Sequence, residues 1–242
     1  MSSSSLAGTG PASRLAYSVV RALVALLVRS YTRMSIDGRE HLPATGAYVL
    51  APVHRSYIDS PIAACLTRRR LRFMGKDTLW KYAASAWLLS ALGGFSVSRG
   101  TADREALRRG ISVLAGGEPL VLFPEGERKS GPVVQPMFDG AAYVALRAGV
   151  PIVPVGIGGS ERVMPKGAKF VYPRKVHVVI GAPIVARAAG GSVRPSRSAI
   201  RDVSARLHDE LQALFDEAQR RVGRTNVGRM DPPDCREPQA LQ

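Results

Sequence analysis

A histidine followed five residues later by an aspartate, within Val53-His54-Arg55-Ser56-Tyr57-Ile58-Asp59-Ser60-Pro61, is the pairing in this chain best suited to chemistry. Imidazole has the side-chain pKa nearest neutrality, so it can take a proton from a hydroxyl and return it. Asp59 can hold one ring nitrogen, set the tautomer and stabilise the imidazolium that forms. On a helix, five residues at about 100° each leave the two side chains about 140° apart. The chain must therefore turn between them, with Ser56 or Asp59 expected to cap a helix beginning near Pro61. Two further stretches carry anion-binding groups. Phe95 to Arg99 ends in one arginine and Phe123 to Arg128 in another. Guanidinium binds phosphate through two parallel charge-assisted bonds. Between them, Glu125 can accept a substrate hydroxyl or hold an arginine, and Gly126 lets a ligand approach the backbone.

Each of these stretches follows or contains a short apolar run of the kind that makes a buried strand: residues 47–52, 95–98 and 120–123. Further strands are expected at 35–38, 71–74, 151–157 and 176–180. Helices are expected at 62–66, 78–92, 102–115, 141–148 and within 196–222, where Val203, Leu207, Leu211, Leu214 and Phe215 form an apolar side. Strands alternating with helices predict an α/β fold, a mixed central sheet flanked by helices, whose strand ends gather the three loops.

The 242 residues suffice for one sizeable α/β domain, and 45% hydrophobic with 22% charged residues is a globular composition. A formal net charge of +15 implies an anionic partner: nucleic acid, an anionic membrane surface or a phosphorylated substrate. Cys65 and Cys235 stand far apart in no metal-like or redox-like spacing, as expected for reduced thiols in a cytoplasmic setting. His41, His177 and His208 lack comparable contexts and read as structural.

Residues 1–12 read as a disordered leader, 35–222 as the folded domain and 223–242 as a disordered tail. Residues 13–34 predict an amphipathic helix. Leu15, Val19, Val20, Leu23, Leu26 and Leu27 fall on one side, and Arg14, Arg21, Arg29 and Arg33 lie opposite. Arg21 interrupts the apolar run, which falls short of the roughly 20 residues needed to span a bilayer. Such a helix suits the plane of an anionic membrane surface; the alternative is packing on the domain's own core with the arginines in water. Trp80, Tyr82 and Trp87 in the next apolar helix read as core, or as an acyl-contacting or membrane-facing wall.

Taken together, the motifs resemble those of the glycerophospholipid acyltransferases of the lysophosphatidate acyltransferase type. His-x4-Asp matches His54 to Asp59, and a Gly-x-x-x-x-Arg block resembles Gly94-Phe95-Ser96-Val97-Ser98-Arg99. Phe-Pro-Glu-Gly-x-Arg matches Phe123-Pro124-Glu125-Gly126-Glu127-Arg128, and a Val-Pro-type strand matches Val150 to Val155. The resemblance covers roughly residues 35 to 185. It departs where Glu127 replaces a common threonine, and where Met137-Phe138-Asp139-Gly140 lacks a basic residue before its glycine.

The resemblance implies transfer of an acyl group from acyl-CoA or acyl carrier protein to a free hydroxyl of a lysophospholipid. The expected acceptor is 1-acylglycerol 3-phosphate, giving phosphatidic acid. His54 would deprotonate that hydroxyl and Asp59 would orient His54, with direct attack on the thioester and no metal or cofactor required. Arg99 and Arg128 would bind the acceptor phosphate, and Glu125 and Gly126 would position the glycerol. The expected setting is the cytoplasmic face of the cell membrane, in peripheral or monotopic association.

Another lysophospholipid or a glycolipid is the alternative acceptor, and an inactive basic lipid-binding or nucleic-acid-binding protein is the alternative class. Against nucleic acid, no helix-turn-helix, zinc or aromatic RNA-binding signature accompanies the charge. Against a serine nucleophile at Ser56 or Ser60, there is no Gly-x-Ser-x-Gly elbow.

Overall fold

The computed structural model describes residues 11–76, 80–97, 104–165, 168, 170–186 and 195–224. Most of the expected leader and tail lies outside them, as does Cys235. Seven strands form the sheet: β1 (Ser35–Asp37), β2 (Val49–Pro52), β3 (Arg72–Lys76), β4 (Gly94–Val97), β5 (Leu120–Val121), β6 (Ile152–Gly158) and β7 (His177–Ile180). Their order is β1-β7-β6-β2-β5-β3-β4, parallel throughout except between β6 and β7. The expected mixed sheet is thus present. Strands β2 and β6 at its centre are buried along their whole length, which is why they read as unbroken apolar runs.

The helices are α1 (Pro11–Thr32), α2 (Asp59–Leu66), α3 (Ala83–Ala91), α4 (Arg104–Ala115), α5 (Gly140–Ala148), α6 (Ser160–Val163) and α7 (Arg197–Arg221). Helix α3 is shorter than the expected 78–92, and the single turn α6 had no periodic signal. Crossovers β2–α2–β3 and β3–α3–β4 step one way along the sheet, whereas β4–α4–β5 and β5–α5–β6 step back. Right-handed connection therefore puts α2 and α3 on one face and α4 and α5 on the other. The first face also receives α1, which packs on α2 and α3, and the second receives α7. Glycines at 156 and 158 let α7 lie directly on β6, since a Cβ at either would overlap the carbonyl of Leu214 or Ala218.

Helix α1 turns most of its apolar side away from the domain. Leu15, Leu23, Leu26 and Leu27 are 55–68% exposed. Tyr17 is buried, and Arg21 Nη1 donates to the carbonyl of Thr67 at 3.1 Å. The alternative of leucines packed on the core is thereby corrected: the domain takes the Tyr17–Arg21 side. By length and composition alone, Arg14–Thr32 would also suffice to cross a membrane.

His177 joins β7 to β1, with Nδ1 2.6 Å from Ser35 Oγ and Nε2 3.1 Å from Asp37 Oδ2. Burial lowers its pKa against the opposing pull of Asp37. A depressed imidazole adds stability above its unfolded pKa, and that stability is lost as pH falls through the folded value. Between pH 7 and 5, wild-type protein should lose more of its urea midpoint than His177→Gln. Equal losses would remove this histidine from the acid limb. His41, bonded to the Ile180 carbonyl, and His208, bonded to that of Val134, likewise serve structure.

Candidate active site

Strand β2 stays in the sheet until Val53 donates to the carbonyl of Val155 at 3.0 Å, and His54 is the first residue to leave it. The chain then turns so that Asp59 Oδ2 lies 3.1 Å from His54 Nδ1. The same oxygen accepts the backbone N–H groups of Arg55 and Ser56, each at 2.6 Å. Helix α2 thus begins at Asp59 without a side-chain cap, two residues before Pro61. The expectation that Ser56 or Asp59 caps it is corrected. The Asp59 carboxylate is turned back to close the loop, and Ser56 Oγ donates to the Met164 carbonyl.

Facing a fully buried carboxylate acceptor, Nδ1 is the donor of this contact, and Nε2 is the ring nitrogen that Asp59 does not engage. Phe123, leaving the neighbouring strand β5, stacks on the imidazole with centroids 4.0 Å apart and planes at 23°. The ring is therefore held on two sides, by a carboxylate at its edge and an aromatic on its face. The imidazole is thus held in a fixed orientation.

Glu125 is 1% exposed. Arg55 Nη1 donates to both of its oxygens, at 2.8 and 2.6 Å. Backbone N–H groups of His54 and Gln135 donate to it at 3.1 Å. Of the two roles open to Glu125, holding an arginine is the one its surroundings display. Arg55 is also buried; it donates to the Val133 carbonyl and places its guanidinium 4.9 Å from the Phe215 ring of α7. Its partnership with Glu125 spans 70 residues and had no sequence signal.

Arg128 lies over Tyr57 with its guanidinium carbon 3.2 Å from the ring centroid. Its Nη1 is buried without a hydrogen-bond partner among the described residues. An aromatic plate under a cation with an unspent donor is an arrangement suited to an anion. Gly126 is exposed at φ +70°, and a Cβ there would meet the Phe138 ring at 2.6 Å. Arg99 lies outside the described residues. Strand β4, two residues before it, ends at the same sheet edge as β2 and β5.

Next to the turn, between α1 and the sheet, is an apolar cavity of about 370 Å³. Val20 and Val24 of α1, Pro61 and Ala64 of α2, Phe73 of β3 and Leu89 of α3 are among its walls. Pro61 is two residues from Asp59, so the cavity lies against the first turn of α2. Trp87 on α3 and Tyr82 just before it are exposed, whereas Trp80 is half-buried, donates to Ser90 Oγ and lines the cavity. Cys65 on α2 is buried, donates to the Pro61 carbonyl, and has its pKa raised by burial.

Residues 33–158 match the family model described as Acyltransferase. The chain is 25% identical over 170 residues to the chloroplastic 1-acyl-sn-glycerol-3-phosphate acyltransferase BAT2 of Brassica napus, covering 69% of this chain and 49% of that one. It is 24% identical over 183 residues to the 1-acyl-sn-glycerol-3-phosphate acyltransferase of Bacillus subtilis, covering 75% and 87%. The crystal structure of the LPA acyltransferase PlsC from Thermotoga maritima superposes with a TM-score of 0.64 at 24% identity, over 86% of this chain and 80% of that one. The fold is shared. The chain spans about half the length of the plant relatives it matches.

Proposed function

This chain belongs to the Acyltransferase family, and we propose that it moves a fatty acyl group from a thioester to the free hydroxyl of 1-acylglycerol 3-phosphate. The observation that carries this reading is the His54–Asp59 pair, with Nδ1 held by a buried carboxylate and Nε2 left for the substrate. His54 takes the acceptor's proton as its oxygen attacks the thioester carbonyl. The C–O bond forms, the C–S bond breaks, and the proton returns from Nε2 to the departing thiolate. Asp59 stabilises the imidazolium between these steps. Acyl-CoA and acyl carrier protein both supply such a thioester.

Arg128 binds the acceptor phosphate with its unspent Nη1, and Arg99 is proposed to share that load. Gly126 presents exposed backbone to the glycerol, the space of its missing side chain being taken by Phe138, and Glu125 acts on the glycerol only through the backbone it fixes. The apolar cavity beside Pro61 takes an acyl chain, each buried methylene contributing about 0.8 kcal/mol. Helix α1 lies in the plane of an anionic membrane at the cytoplasmic face. Its leucines enter the interface, and its Tyr17–Arg21 side stays on the domain.

A panel of lysolipids, offered with labelled acyl donors, tests this reading by the product formed. Lysophosphatidate should be preferred. Preference for a lysolipid lacking a phosphomonoester would overturn the acceptor assignment. Within the same panel, Arg128→Ala should raise KM for lysophosphatidate about tenfold or more, since bonds to charged groups contribute roughly 1.5–3 kcal/mol. It should change kcat much less. An unaltered KM would remove Arg128 from the phosphate.

A further inference from the structure

On the face of the sheet opposite α1, a groove of about 910 Å³ runs between α4 and α5. Leu107, Ile111 and Tyr143 line it together with Arg104, Arg108 and Arg147. On α4 the contributing residues recur at three- and four-residue steps and so form one stripe. The three arginines are exposed, and their side chains have no ion-pair partner among the described residues. Glu105, on the adjoining stripe, pairs with Arg109. Among the described residues, no carboxylate therefore neutralises the groove's positive charge.

What fits is constrained by where the groove lies. With the leucines of α1 in a bilayer, α4 and α5 stand across the sheet from the lipid and face water. A nucleotide would normally be enclosed over most of its surface, whereas these guanidinium groups are open to solvent. They flank an apolar floor along the two turns from Arg104 to Ser112, about 12 Å at 1.5 Å per residue. That pattern complements an amphipathic helix whose carboxylates border an apolar stripe. Helix α4 follows the parallel strand β4, so its Arg104 end lies at the sheet edge where His54 leaves β2.

We propose that the α4–α5 groove docks the acidic amphipathic helix of a soluble acyl-carrying protein, which presents its thioester to His54 from the aqueous side. This rests on the acyl-transfer reading for the partner's role as donor; the docking surface itself does not. The test uses the full chain, fluorescently labelled holo acyl carrier protein, and the triple variant R104E/R108E/R147E. Binding of the carrier should weaken at least about tenfold, and kcat/KM with acyl carrier protein should fall in parallel. With acyl-CoA, kcat/KM should stay within about twofold of wild type, as should vesicle flotation. The charge-retaining R104K/R108K/R147K should bind nearly as wild type. Unchanged carrier binding in the charge-reversed variant would overturn the proposal, and so would an equal loss with acyl-CoA. If binding depends on the arginines but neither donor is ever consumed, the docking surface stands and the acyl-transfer reading falls.

Discussion

His54→Ala should lower kcat by about 10²–10⁴-fold, the range a positioned general base contributes. The fold should be retained. Among the described residues, the His54 side chain makes one hydrogen bond, to Asp59, and one stacking contact, with Phe123, at the end of the sheet. Its backbone bonds to Glu125 and Lys129 survive truncation. KM for the acceptor should change little, because the phosphate is assigned to arginines and not to the imidazole. Asp59→Asn should behave differently. Its Oδ2 receives Nδ1 of His54 and two backbone N–H groups, so the loss of charge weakens the loop as well as the base. Stability and turnover should therefore fall together in the aspartate variant, and turnover alone in the histidine variant. Thermal melts beside steady-state rates would distinguish the two; near-wild-type kcat in His54→Ala would end the assignment.

Glu125→Gln should lose both stability and turnover, with acceptor KM nearly unchanged. Arg55 and Glu125 side chains are 1% and 0% exposed, so removing one charge strands the other out of water. Breaking a buried pair this way costs about 3–5 kcal/mol. Turnover should suffer because a Glu125 oxygen accepts the backbone N–H of His54, tying the base to the β5 loop. The double variant Arg55→Met/Glu125→Leu should recover stability, since apolar replacements of buried pairs are often neutral. Its activity should recover less, since leucine cannot accept the His54 N–H. A large rise in acceptor KM with stability unchanged would instead put Glu125 on the substrate's glycerol.

How much of this could be read in advance depends on sequence distance. The turn from His54 to Asp59 was legible because both residues lie on one short loop after an apolar strand. That Glu125 faces Arg55 was not. Their meeting follows from β5 lying beside β2, although β3 and β4 intervene in the chain, and local periodicity carries no such adjacency. The two roles of Glu125 were open for the same reason. Helix α1 was recognisable as amphipathic, yet its wheel did not say which side meets the domain. Tyr17 and Arg21 decide that through carbonyls at Arg69 and Thr67, about fifty residues away. Helix α7 was legible in both extent and apolar side, because Leu207, Leu211 and Phe215 repeat at helical spacing and are buried on β6.

The proposed direct attack of a His54-activated lipid hydroxyl on the thioester forms no acyl-enzyme. It is tested most directly by measuring thiol release with and without lysophosphatidate while following the intact mass of the protein. Thiol and phosphatidic acid should appear in equal amounts only when the acceptor is present, from an enzyme of unaltered mass. Thiol release without acceptor, accompanied by an acylated protein, would contradict it.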